Sequence, residues 1–76
     1  MEDIRKKLLD TVDMLMKICD ERGKSNLATC DHHNWDQDIY NYRHEIVRKL
    51  RSNGYNVGME RKWGVLDIIV TKKIEL

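Results

Sequence analysis

The stretch Glu45–Val70, EIVRKLRSNGYNVGMERKWGVLDIIV, decides the fold. Ile46, Val47 and Leu50 supply an apolar helical face. Ser52-Asn53-Gly54 then stops the helix, with Gly54 suited to the left-handed position just past its end. Tyr55, Val57 and Met59 alternate with Asn56, Gly58 and Glu60, the period of a half-buried strand. Arg61-Lys62-Trp63-Gly64 reads as a turn, and Val65 to Thr71 returns as the second strand of a hairpin. On that strand Leu66, Ile68 and Val70 share one face; Val65, Asp67, Ile69 and Thr71 share the other.

Upstream of this stretch, a first helix is expected over about residues 3–22. Ile4, Leu8, Thr11, Val12, Leu15, Ile18 and Cys19 recur at helical spacing, and Leu9 and Met16 widen the stripe to nearly half the circumference. Glu2 and Asp3 suit its N-terminal end, Arg22 and Gly23 its C-terminal end. Residues 23–35, GKSNLATCDHHNW, form a connector in which Ser25 or Asn26 caps a short extra turn. A second helix follows over about residues 36–53, with Asp36 as N-cap and Ile39, Ile46 and Leu50 on its buried face. The expected fold is therefore a single small α+β domain over residues 1–76, two helices followed by a hairpin (about 55–71) in the order α-α-β-β.

The chain's 76 residues make one domain at most. A core of this size supplies only ~3–5 kcal/mol unless a metal, a disulfide or a partner surface adds to it. The two cysteines are too few for a secreted disulfide framework, and no signal peptide is evident, so a reduced, cytoplasmic protein is expected. No apolar run reaches the ~20 residues that span a bilayer, so no membrane partner is expected. With 14 basic and 13 acidic residues the net charge is +1, which is no nucleic-acid footprint by composition. The size also suits a phage or mobile-element accessory protein.

Four constellations bear on function. The wide stripe through Leu9 and Met16, with Ile69 on the mixed face of the last strand, points to self-association or a protein partner. A non-catalytic, protein-binding accessory or regulatory module is accordingly the leading expectation. The turn residues Arg61, Lys62 and Trp63, with Arg48 and Arg51 on the second helix, form the candidate binding surface. A helix followed by a basic hairpin resembles the last helix and wing of a winged helix. That resemblance implies phosphate contacts from the wing and makes nucleic acid the alternative partner. Arg43, on the same helix, is read as an aliphatic stem on apolar surface with its head in solvent.

Cys30, His32 and His44 are the third group, able to supply the thiolate and imidazoles of a zinc site. No CxxC or HxxxH spacing supports them, and Cys19 lies on the apolar stripe. No cofactor is expected, with zinc at these three residues as the alternative. A Cys30–histidine nucleophile pair lacks a nameable oxyanion hole or third orienting group, and no enzyme is expected.

The fourth is the pattern Glu45, Gly54-Tyr55-x-Val57, Glu60 and Gly64-Val65-Leu66-Asp67-Ile68-Ile69-Val70. It resembles the opening helix and hairpin of PD-(D/E)xK nucleases. The resemblance implies that Glu45 is the helical acid, Asp67 the strand aspartate and Glu75 the start of the third motif. The lysine of that motif has no counterpart in the sequence, so a truncated or inactive relative is implied.

Overall fold

A computed structural model describes residues 3–72. They form an α+β fold of order α-β-α-α-β-β: α1 (Ile4–Arg22), β1 (Lys24–Thr29), α2 (Gln37–Asn41), α3 (Arg43–Ser52), β2 (Asn56–Lys62) and β3 (Val65–Thr71). The order departs from the expected α-α-β-β. The first half of the connector is a strand rather than a capped turn, and the second helix is broken in two at Tyr42. The C-terminal tail with Ile74, Glu75 and Leu76 lies outside the described residues.

The three strands form one antiparallel sheet in the order β1-β3-β2. β3 is the central strand, with Leu27 of β1 and Met59 of β2 both opposite Ile68. Its inward residues Leu66, Ile68 and Val70 are buried, while Val65, Asp67 and Ile69 on the other face are only half-buried. α1 and α3 lie together on one face of the sheet. Leu8, Val12, Leu15 and Cys19 of α1 meet Ile39 of α2, Ile46, Val47 and Leu50 of α3, and Val57, Ile68 and Val70 of the sheet in one buried cluster. Leu50 and Ile68 are fully buried in it.

Hydroxyls complete the buried face of β1. Ser25 and Thr29 point inward with Leu27 between them. Ser25 Oγ donates to the Leu15 carbonyl at 2.8 Å and Thr29 Oγ1 to the Leu66 carbonyl at 3.0 Å. A buried hydroxyl is tolerated when it finds such an acceptor. The thiol of Cys19 likewise points to the Val70 carbonyl, 3.8 Å away, and burial raises its pKa.

The helix ends follow their sequence signals. Asp3 accepts from the Arg5 N–H at the start of α1, and Gly23, at φ 90°, closes its end in the left-handed region. Asp36 Oδ1 accepts from the N–H groups of Asp38 and Ile39, capping α2. The same carboxylate meets Lys7 at 2.7 Å, with Asp38 at 3.3 Å, so α1 and α2 are tied at their N-terminal ends. No described helix is long and apolar enough to cross a membrane.

Candidate functional site

The site is built on the turn between β2 and β3. Lys62 pairs with Val65, so the turn consists of two residues, Trp63 and Gly64. Both have positive φ, 55° and 77°. This is the twist that suits a tight hairpin, and it normally draws Asn-Gly or Asp-Gly. Gly64 meets the requirement without strain. Trp63 does not, since a bulky side chain at positive φ crowds its own backbone. The indole is 92% exposed.

β2 carries the cations into this turn. Arg61 is opposite Leu66 and therefore projects on the helix side of the sheet, while Lys62 projects on the other side. The Arg61 guanidinium donates to Tyr40 Oη at 3.4 Å, and this contact raises its pKa further. Arg43 lies over the Tyr40 ring, 4.2 Å from its centroid, and its Nη1 donates to the Tyr40 carbonyl at 2.8 Å. A cation over a ring face is attracted by the ring quadrupole. The break at Tyr42 thus sets Tyr40, at the end of α2, and Arg43, at the start of α3, against the end of β2. Arg43 is half-buried against this ring rather than simply lying along apolar surface.

The connector is fastened to the same turn. The Cys30 thiol donates to the Gly64 carbonyl at 3.4 Å and accepts from the His32 N–H at the same distance. His32 and His33 follow with ring centroids 4.4 Å apart at a 31° tilt. Gln37 Nε2 donates to the His32 carbonyl at 2.6 Å and holds the loop against α2. One end of the molecule therefore gathers Trp63, Arg61, Lys62, Tyr40, Arg43 and the histidine pair.

Two further arginines lie along α3. Arg48 is 75% exposed and pairs with Glu45 at 3.2 Å. Arg51 is committed to the fold: its Nη2 donates to the Val57 carbonyl at 2.8 Å. From Arg43 to Trp63 the chain carries six basic and two acidic residues. From Asp3 to Asp38 it carries six basic and eight acidic ones. The near-neutral total conceals a division along the chain between a basic α3–β2 segment and a more acidic segment that begins with α1.

The remaining candidates are dispersed. Leu9 is exposed on α1, Met16 packs on the molecule's own core, and Ile69 is half-buried on the sheet face opposite the helices. They do not share one surface. Cys30 turns its thiol into the connector, whereas His44 is exposed on α3. Among the described residues no three His, Cys, Asp or Glu side chains converge as a metal would need. Asp67 faces away from the helices, since it alternates with Leu66 and Ile68, while Glu45 lies on α3. The sheet separates the two carboxylates, and Glu75 lies outside the described residues.

Sequence reasoning placed Trp63, Arg61 and Lys62 at the turn but did not join Tyr40 and Arg43 to them. An aromatic three residues before an arginine was the available signal, because that spacing stacks side chains along a helical path. In comparison with known proteins, the chain matches no family model, no curated protein and no solved structure.

Proposed function

We propose that the protein is a non-catalytic interaction module that binds nucleic acid through its basic α3–β2 segment, with the hairpin turn at the centre of the contact. The observation that carries this reading is the exposed indole at the turn, with Arg61 and Lys62 beside it on opposite faces of the sheet and Arg43 joined to Arg61 through Tyr40. Net charge alone argues against such a partner. The field that a phosphate chain meets depends instead on local grouping, and cations close to one another act together. The surface is a projecting turn beside a helix rather than a cleft with converging polar groups, which supports binding over catalysis.

The test is fluorescence anisotropy with a labelled oligonucleotide across a salt series. Each neutralised phosphate releases counterions, so log affinity falls linearly with log salt, with a slope of about −3 to −4 for four cationic contacts. Absence of binding at low salt would remove the reading.

A protein partner is the second reading, supported by the uncovered face of the sheet. Among the described residues nothing packs on the side that carries Ile69, which lies opposite Asn26 of β1 and Gly58 of β2. The outer edges of β1 and β2 are also unpaired within the described residues. Such edges accept a further strand. Sedimentation at increasing concentration tests self-association through this face, and Ile69→Lys should abolish any dimer it forms.

A further inference from the structure

We propose that Trp63 is a base-stacking residue and that the nucleic acid it takes is single-stranded; this rests on the nucleic-acid reading above. Among the described residues Trp63 is the one non-glycine with positive φ. The position suits asparagine, aspartate or glycine, yet it holds the bulkiest side chain. Nothing in the fold repays this choice, because the indole leaves 92% of its surface to solvent. A local rule broken without gain to the fold points to a use outside it.

The surroundings indicate what that use is. Arg61 and Lys62 leave β2 on opposite faces, so two cations flank the indole on either side of the sheet. Arg61 is steadied by Tyr40, which is itself stacked under Arg43. The His32–His33 pair, drawn alongside through Cys30, adds further planar surface. Planar faces interleaved with cations are the composition of surfaces that stack unpaired bases while holding their phosphates. In a duplex both faces of each base are already covered by neighbours, so the tip of a two-residue turn meets only the backbone there.

The experiment compares a fluorescein-labelled oligothymidylate with a mixed-sequence duplex at low salt. The parent protein is Trp35→Phe, which leaves Trp63 as its one indole, and the variant adds Trp63→Asn. Asparagine suits the turn, so the variant should melt at or above the parent's temperature and loss of folding does not confound the result.

The oligothymidylate is expected to quench Trp63 emission. Trp63→Asn should weaken single-strand binding by about 5- to 100-fold while changing duplex binding by less than about twofold. Unquenched emission together with unchanged single-strand affinity would overturn the stacking role and leave the charge-based reading standing. A preference for duplex that vanishes in Trp63→Asn would overturn it in favour of a wedge between base steps. If neither polynucleotide binds, the stacking role and the nucleic-acid reading fall together.

Discussion

The phenol of Tyr55 donates to the Asp20 carboxylate at 2.6 Å, joining the strand entry after α3 to the last turn of α1. The two residues are 35 positions apart in sequence, and the bond closes the helical layer at one end. The carboxylate favours the protonated phenol, so the Tyr55 pKa is pushed up to about 12.

This bond has a testable alkaline consequence. A raised folded-state pKa means that the bond's stabilisation is complete below the ordinary tyrosine value of about 10. It is then lost as pH rises through the folded value of about 12. In a phenolate absorbance titration one of the chain's three tyrosines should ionise last. Tyr55→Phe should delete that late step and flatten the loss of stability between these two values.

The acid side rests on Asp36. Its hydrogen bond to Lys7 holds its carboxyl below the usual carboxylate value, and the N–H groups of Ile39 and Asp38 act in the same direction. A lowered folded-state pKa gives stability that is present above the unfolded value and lost as pH falls through the folded one, here below about pH 4. Asp36→Ala removes both cap and ion pair and should cost about 0.5–2 kcal/mol, the usual worth of an N-cap. Asp36→Asn keeps a capping oxygen and loses only a partly exposed ion pair, while Asp38 stays beside Lys7, so it should cost under about 1 kcal/mol. Urea denaturation of both variants at neutral and acid pH checks the order.

Leu50 and Ile68 carry the core prediction. Both are fully buried in the cluster that joins α3 to the sheet. Truncating either to alanine removes buried methyl groups and leaves a cavity, at a cost of about 2–5 kcal/mol. In a domain of this size that is most of the available stability, and either variant should be largely unfolded near 37 °C by circular dichroism. An unchanged melting temperature would contradict the packing.

Most of the fold was legible where apolar periodicity is strong. α1, the α3 face and the hairpin all announce themselves through residues such as Leu15, Leu50 and Ile68. β1 did not, because its inward positions are Ser25, Leu27 and Thr29, and two of the three are polar. Hydroxyls that satisfy themselves on Leu15 and Leu66 look like loop residues until their acceptors are known. The expected hairpin left one edge of β3 open; the strand that pairs with it there lay unseen in the connector. The break at Tyr42 has no Gly or Pro to mark it, since Tyr42 simply leaves the helical region at φ −104°, ψ 20°. The site was half legible for the same reason. Adjacent residues at the turn declare themselves, whereas Tyr40 reaches Arg61 only because the helix breaks.

The last prediction separates arginines that bind from those that hold the fold. Arg48 is 75% exposed and its one described ion pair is with its neighbour Glu45, whereas Arg51 donates to the Val57 carbonyl of β2. Arg48→Gln should leave the melting temperature unchanged and reduce the salt slope of nucleic-acid binding by about 1, as loss of one phosphate contact does. Lys62→Gln should do the same. Arg51→Gln should behave in the opposite way, costing about 1 kcal/mol of stability through the lost hydrogen bond and leaving the slope nearly unchanged. A binding isotherm series in salt, paired with thermal melts, reads both quantities on each variant. Equal slopes for Arg48→Gln and the parent would place the contact elsewhere than on α3.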